Sequence, residues 1–238
     1  MHIGREVRGA AGRGAARPGS QDAPAVLEQL GATVHIDRDQ EIHRQDAPAD
    51  YCCRVLSGCV RKLELMPDGR RYVSGFPFAG DFFGLHDRDV YAFTAEAVTD
   101  VVLRRYPRAK VEALAAREPA LAQWLAAMCL YDLHEAYQRM TLLSRSTSLE
   151  RVAAFILEMD RRMEPSGRSM WHMPMSRSDI VDNLGLTTET VSRVLTQLQR
   201  DGLVEVRRNA IELHDHPSLR ALAAGHGSNR RDRAEVYA

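Results

Sequence analysis

The chain has 238 residues, of which 45% are hydrophobic, so it is long enough to form two small domains with buried cores. Its 32 basic residues balance its 32 acidic residues, so bulk charge gives no support for nucleic-acid binding. The sequence contains no apolar run of about 18 residues, which excludes a membrane-spanning helix, and no phosphate loop, nucleophile elbow or HExxH motif, which leaves an enzymatic function without support.

The first residues are rich in Arg, Gly and Ala and lack the apolar segment of a secretory signal. We predict a disordered tail over residues 1–24 and a cytoplasmic protein. The four cysteines form no CxxC pair, and cytoplasmic thiols stay reduced. Cys52 and Cys53 are interpreted as small apolar core residues. Together with Cys59 they remain a possible redox input.

Residues 25–118 predict a β domain. A helical turn over 26–30 is followed by short segments that end at Gly, Pro or Asp turns, such as the one at Pro67-Asp68-Gly69. The predicted strands are Thr33–Ile36, Tyr51–Leu56, Cys59–Met66, Arg71–Phe76, Tyr91–Ala97 and Val101–Tyr106. Strands at this spacing form a sandwich or a roll rather than a βαβ sheet.

A short helix from Pro107 to about Ala116 precedes a long one over 119–145, with Pro119 in its first turn. Apolar residues cover well over half of the long helix, whereas a surface helix of one small domain needs a single apolar stripe. The second face therefore implies a second partner, either another subunit or another domain of the same chain.

Residues 146–222 predict a helical unit that ends in a small hairpin. Ser148–Met163 has apolar residues at helical spacing, and Met170–Met173 can form a short strand. Two short helices follow: Ser176 can cap the first, Gly185 can end it, and Thr187 can cap the second. Leu203–Arg207 and Ala210–Leu213 then alternate as two strands. One helical turn near Ser218–Ala223 precedes a second disordered tail, predicted over 223–238.

The second of the two short helices has an apolar face and a polar face. At about 100° per residue, Val191, Val194, Leu195 and Leu198 share one side. Glu189, Ser192, Arg193, Thr196 and Arg200 share the other. Arginine can donate two hydrogen bonds to guanine and glutamate can accept one from cytosine, so this row can read bases in a major groove. The alternative is an ordinary amphipathic helix with a solvated charged face.

LGLTTETVSR followed by LQRDGLVEV resembles the DNA-binding end of the Crp/Fnr family of bacterial transcription regulators, and its FixK-like branch in particular. That branch carries Glu-x-x-Ser-Arg on its recognition helix, matched here by Glu189, Ser192 and Arg193. SLERVAAFILEMDRRM and GDFFGL are also similar to it, and the resemblance extends from about Leu27 to Leu222.

The resemblance implies an α+β fold with an N-terminal cyclic-nucleotide-binding-like β-roll, a long dimerisation helix and a C-terminal winged helix-turn-helix. It also implies a homodimer that binds a palindromic site in double-stranded DNA, works with RNA polymerase and controls microaerobic, anaerobic or nitrogen-fixation genes. For the long helix it favours the dimer, with the interface predicted at Leu121, Trp124, Leu125, Met128, Tyr131 and Met140.

The resemblance and the polar face together give candidate site residues. Glu189, Ser192 and Arg193 are predicted to read bases. Arg177, Thr188 and Thr190 are predicted to contact the DNA backbone. Half-sites like TTGAT and ATCAA, separated by about four bases, are what the resemblance suggests.

No cofactor or metal is predicted. The segment GDFFGLHDRDVYAFTAEAV lacks the arginine–hydroxyl pair that holds the nucleotide phosphate in relatives that bind cAMP, and no cysteine before Tyr51 can hold an iron–sulfur cluster. His214 and His216 resemble a metal site only superficially. One alternative is a haem- or redox-responsive regulator of the same family, with histidines such as His35, His43, His86 or His134. A second, from another class, is a ligand-binding module whose helix-turn-helix contacts protein.

Overall fold

The computed structural model describes residues 23–85, 89–163, 170–208 and 210–225. The disordered tails that we predict at the two ends fall almost entirely outside these ranges. The helices are α1 (Ala25–Glu28), α2 (Arg108–Ala115), α3 (Pro119–Arg145), α4 (Ser148–Met163), α5 (Arg177–Leu184), α6 (Thr188–Arg200) and α7 (His216–Ala223). The strands are β1 (Ala32–Ile36), β2 (Glu41–His43), β3 (Tyr51–Ser57), β4 (Val60–Leu65), β5 (Arg71–Gly75), β6 (Phe82–Phe83), β7 (Thr94–Ala97), β8 (Val101–Pro107), β9 (Met170–His172), β10 (Val204–Arg207) and β11 (Ala210–Leu213).

Two four-stranded antiparallel sheets form the N-terminal β-roll, with strand orders β1-β8-β3-β6 and β2-β7-β4-β5. Because side chains alternate along a strand, Cys53 on β3 lies in one buried cluster with Val55 and Leu103, whereas Cys52 lies in another with residues of α2 and α3. The first sheet is therefore buried on both faces. The roll predicted from strand spacing is confirmed.

Two strands of the roll, β2 and β6, were not predicted, and Tyr91–Phe93 lies outside β7. Strands of two or three residues are too short to show an alternating pattern. Tyr91 instead supports a loop, because its N–H donates to the Ala47 carbonyl (2.9 Å) and its hydroxyl donates to the Tyr51 carbonyl (2.9 Å).

The first half of α3 packs on the β-roll of its own chain. Leu121, Trp124 and Met128 are buried together with Phe82 and Tyr106. The Trp124 ring meets the Phe82 ring edge-on, with centroids 5.0 Å apart. The prediction that Leu121, Trp124 and Met128 lie in an interface between subunits is wrong, because the same chain already covers them. Periodicity showed that α3 has two apolar faces but could not show which face meets which partner.

From Leu130 onward, α3 carries an apolar face that the described part of the chain leaves exposed. Its side chains are between 52% and 68% exposed: Leu130, Leu133, Tyr137 and Met140. At about 100° per residue these side chains share one side of α3, opposite the side that packs on the roll. Of the remaining predicted interface residues, Leu125 and Tyr131 are half-buried. Only Met140, among those predicted, belongs to the exposed face.

The C-terminal unit consists of α4–α7 and a three-stranded sheet of order β10-β11-β9. Its core is continuous with the outer face of the second β-roll sheet, where Leu63 and Val73 lie in the same cluster as Ile156 and Ile180. Phe76 and Phe155 meet across this boundary, with ring centroids 6.4 Å apart. The helix-turn-helix is thus fixed on the roll through a shared apolar core. None of the helices in the described ranges combines the length and the apolar run that crossing a bilayer requires.

Candidate nucleic-acid interface

α5 and α6 form the helix-turn-helix, and its helix ends are confirmed as predicted. Ser176 Oγ accepts from the Asp179 N–H (3.1 Å) while the Asp179 carboxylate accepts from the Ser176 N–H (3.0 Å), which makes a reciprocal capping box. Gly185 ends α5 with φ of 61°, a left-handed conformation that glycine adopts without strain. Thr187 Oγ1 accepts from the Thr190 N–H (3.2 Å) and caps α6.

α6 is divided into a buried face and an exposed face. Its apolar residues Val191, Val194, Leu195 and Leu198 are buried in the core of the C-terminal unit. The side chains of Glu189, Arg193, Thr196 and Arg200 are exposed. The helix is therefore anchored on one side and presents a polar row on the other.

The predicted base-reading residues lie next to one another at the beginning of α6. Glu189 and Arg193 are exposed and Ser192 is half-buried, and spacings of three and four place them on adjacent turns. Among the residues that the structure describes, none pairs with the Arg193 guanidinium. Hydrogen bonds from its own N–H and from the Thr187 hydroxyl hold the pKa of the Glu189 carboxyl below its ordinary value, so it remains an acceptor.

The residues predicted to contact the DNA backbone differ in how exposed they are. Arg177 begins α5 and Thr188 begins α6, and both side chains are exposed. Thr190 is half-buried, and its hydroxyl oxygen lies 3.1 Å from that of Thr187. Arg177 and Thr188 are therefore better placed than Thr190 to meet a phosphate.

The hairpin of β10 and β11 forms the wing. Arg207 forms an ion pair with Glu205, with Nε 2.7 Å from Oε1. Arg208 is exposed and has a φ of 40°. Glu205, Glu212 and His214 bring ligand atoms within 4.8 Å of one another. The Arg207 guanidinium lies beside the same carboxylates and offsets their charge.

The two histidines next to Asp215 do not form a common site with it. Asp215 caps α7, since its carboxylate accepts from the Ser218 N–H at 3.0 Å. His214 lies near Glu205, with Nε2 3.9 Å from Oε2. His216 lies near Asp160, with Nδ1 3.7 Å from Oδ2.

In the described part of residues 80–97, the β-roll lacks the residue pair that binds the nucleotide phosphate in relatives that bind cAMP. Asp81 is a buried carboxylate that accepts from the Phe78 N–H (2.9 Å) and pairs with Arg162. The Thr94 hydroxyl accepts from the Gln45 N–H (3.0 Å), and Arg88 lies outside the described residues. Asp81 and Thr94 are therefore engaged in contacts within the chain, and no arginine followed by a hydroxyl residue lies in the described part of this segment.

The residues considered for haem differ in their surroundings. His35 and His134 are exposed, and His86 lies outside the described residues. The His43 ring stacks on Tyr91 with centroids 3.7 Å apart, and burial lowers the pKa of His43 to about 4.

The residues considered for redox sensing are mostly buried thiols. Burial raises the pKa of Cys52 to about 11 and the pKa values of Cys53 and Cys59 to about 12. These three thiols are therefore protonated at neutral pH and poorly reactive. Cys129 is exposed on α3.

One structural feature was not predicted: charged side chains of the β-roll form ion pairs with the helix-turn-helix. Arg61 on β4 and Arg71 on β5 both donate to Asp179 of α5. Residues more than 100 positions apart leave no local pattern, so no signal in the single sequence could have paired them.

Two family models match the chain: the Crp-like helix-turn-helix domain over residues 150–222 and the cyclic nucleotide-binding domain over residues 33–118. The chain is 38% identical over 220 residues to the nitrogen fixation regulation protein FixK of Azorhizobium caulinodans, covering 91% of this chain and 87% of the relative. It is 35% identical to the FixK of Bradyrhizobium diazoefficiens, covering 83% and 84%. Its fold matches the solved structure of FixK2 from Bradyrhizobium japonicum with a TM-score of 0.77 at 40% identity, covering 81% of this chain and 97% of that one.

Proposed function

The chain belongs to the Crp/Fnr family of transcription regulators, in its FixK-like branch, and on that premise we propose that it binds a palindromic DNA site as a homodimer and activates transcription there. It is a sequence-specific DNA-binding regulator rather than an enzyme. The observation that carries the proposal is the exposed row at the beginning of α6, where Glu189, Ser192 and Arg193 lie on a helix whose other face is buried.

The two-fold site follows from the helix geometry. A dimer of winged helix-turn-helix units places two recognition helices in successive major grooves about one helical turn apart. Glu189, Ser192 and Arg193 contact bases, and Arg177 and Thr188 contact phosphates, with Thr190 a weaker contact. The half-sites resemble TTGAT and ATCAA.

The dimer forms through α3 over residues 119–145, through a face that shares only Met140 with the predicted interface. Leu130, Leu133, Tyr137 and Met140 recur at alternating spacings of three and four, which is the spacing of a coiled-coil seam. An exposed apolar stripe of this kind marks an interaction surface. The unit before α3, residues 25–118, is the sensor-like β-roll, and residues 146–222 bind DNA.

The target genes follow from the relatives. The FixK proteins of two genera are named as nitrogen fixation regulators, and we place this chain in the same class of control, for nitrogen-fixation or microaerobic genes. Activation requires contact with RNA polymerase and a cytoplasmic location.

The direct test is a mobility shift with a labelled duplex that carries TTGAT and ATCAA half-sites, in competitor DNA at moderate salt. The proposal predicts a shifted complex that the same unlabelled duplex abolishes and a scrambled duplex does not. If the scrambled duplex competed equally, the helix-turn-helix would not read sequence, and a protein-contact role would be favoured.

DNA binding is expected to need no small-molecule effector. A ligand shifts a conformational equilibrium only if it binds one state better, and the described β-roll residues do not fit a nucleotide phosphate. Protein purified in air and treated with a chelator should bind the two-half-site duplex equally well with and without cAMP. A chromophore required for binding, or an affinity gain above about tenfold with cAMP, would contradict the prediction.

A further inference from the structure

The helix-turn-helix covers an open edge of the β-roll. β5 is the outer strand of its sheet, so backbone groups along one side of it have no strand neighbour. α5 lies along this edge, where the Asn183 side-chain amide donates to the Val73 carbonyl at 3.0 Å. Arg139 of α3 donates to the same carbonyl (3.3 Å) and to the Asn183 carbonyl. The edge carbonyl of Val73 is therefore hydrogen-bonded by both α5 and α3.

A cluster of two arginines and two aspartates adds charge to this contact. Arg61 Nη1 and Arg71 Nη2 each donate to Asp179 Oδ1 at 3.0 Å. Arg71 Nη2 also lies 2.7 Å from Asp182 Oδ2. We call Arg61, Arg71, Asp179 and Asp182 the arginine–aspartate cluster. Both arginines come from the β-roll and both aspartates from α5.

Asp179 is the centre of the cluster and is almost fully buried, with a side chain 1% exposed. Its Oδ2 accepts from the Ser176 N–H (3.0 Å) and from the Ser176 hydroxyl (2.7 Å). Burial opposes ionisation, but the hydrogen bonds from Ser176 and the charges of Arg61 and Arg71 outweigh it and hold the pKa of the Asp179 carboxyl below its ordinary value. Asp179 is therefore a buried carboxylate whose partners are the capping serine and the two arginines of the roll, and losing those partners would leave a buried charge uncompensated.

The arginine–aspartate cluster contacts the beginning of α5 and not the exposed face of α6. Asp179 belongs to the capping box that starts α5, so the arginines hold the helix-turn-helix itself and not the linker before it. The exposed row of α6, including Glu189 and Arg193, is left open by this contact. An autoinhibitory contact would cover the reading face, and this one does not.

We propose that Arg61 and Arg71 are positioning residues for DNA recognition. They fix the orientation of each helix-turn-helix on its β-roll, so that both recognition helices of a dimer are set for one two-fold site before DNA arrives. The inference rests on the proposed dimeric, two-half-site function and names residues in the roll that serve it.

A general loss of stability would weaken binding to one half-site and to two half-sites alike. Once one half-site is bound, the second binding event is intramolecular, and its strength depends on how well the second unit is oriented. Rigid orientation removes the entropy cost of ordering the unit on binding. Loss of the arginines should therefore weaken binding to two half-sites while leaving binding to one half-site nearly unchanged.

The test uses the full chain with Arg61→Met and Arg71→Met together, which removes both guanidiniums and leaves the capping-box residues Ser176 and Asp179 unsubstituted. Two duplexes are compared: one with TTGAT and ATCAA half-sites, and one with the second half-site scrambled. We expect the affinity for the first to fall about tenfold or more and the affinity for the second to change by less than about threefold. The matched control is Arg70→Met on the same hairpin, where Arg70 pairs with exposed Asp68, and it should leave both affinities unchanged.

The wild-type protein distinguishes a failure of the proposed two-half-site function from a failure of the positioning role. If it fails to prefer the two-half-site duplex over the scrambled one, the proposed function fails and not the positioning role. If the wild type shows that preference and the double variant keeps it, the positioning role is wrong. An affinity that rises in the double variant would make the cluster an inhibitory latch and would overturn the proposal as well.

A milder variant guards against misfolding. Asp182→Asn keeps Asp179 paired and removes only the negative charge that Asp182 presents to Arg71, so the fold should survive with unchanged circular dichroism. We expect its affinity for the two-half-site duplex to fall about threefold, with the single half-site unaffected. Equal losses on both duplexes, accompanied by a lower melting temperature, would show that the cluster only stabilises the fold and would contradict the proposal.

Discussion

Leu133→Asp is expected to convert the protein into folded monomers and to lower its affinity for a two-half-site duplex by about a hundredfold or more, since the avidity of a bivalent complex is lost. Leu133 is 52% exposed in the single chain, so the substitution leaves the core of the subunit intact. In a dimer seam the two introduced carboxylates would be buried without partners, which is costly. Sedimentation velocity measures the oligomeric state, and fluorescence anisotropy measures the affinity.

Gln138→Asp is the matched control, because residue 138 is exposed on α3 about 120° away from the apolar stripe. It should remain dimeric and bind DNA normally. Met128→Asp would not answer the same question, since Met128 is 1% exposed and its replacement would unfold the roll. An intact dimer for Leu133→Asp would move the interface away from this face.

Arg193→Ala and Glu189→Ala are expected to remove base preference at one base pair per half-site, at a cost of about 1–3 kcal/mol each. Arg177→Ala should instead weaken binding to all sequences and reduce the salt slope by about one. The difference arises because a bidentate base contact carries sequence information, whereas a phosphate contact carries none. Titrations of matched and single-substituted duplexes at several salt concentrations measure both effects.

Arg200→Ala controls for charge on the same helix. Arg200 is exposed on the polar face of α6 but lies in the last turn, and recognition helices read bases near their N-terminal end. It should leave base preference unchanged. If Arg193→Ala weakened specific and nonspecific DNA equally, Arg193 would be a phosphate contact and the assignment would be wrong.

The parts that the sequence predicted well are those that local chemistry determines. Ser176, Gly185 and Thr187 could be assigned to helix ends because capping and left-handed conformations depend on residues within a few positions. The division of α6 into two faces followed from helical spacing, and the fold class followed from strand spacing together with the family resemblance. The six proposed DNA-contacting residues remain predictions about a bound state.

What the sequence could not predict depends on distant contacts. Leu121 and Leu133 are both apolar residues of α3, and only the packing of the roll shows that one is buried and the other exposed. Arg61 and Asp179 are 118 positions apart, and nothing within either segment indicates their ion pair. Short strands such as β6 exist because neighbours pair with them, not because of an intrinsic pattern.

Binding selection on a pool of random duplexes tests the central claim most directly, since it asks for the site without assuming its sequence. The account predicts an enriched motif with two-fold symmetry, in which two half-sites related to TTGAT and ATCAA lie about one helical turn apart. Arg193→Ala should lose the preference at one position in each half-site and keep the spacing. A motif without two-fold symmetry, or no enrichment at all, would contradict the account.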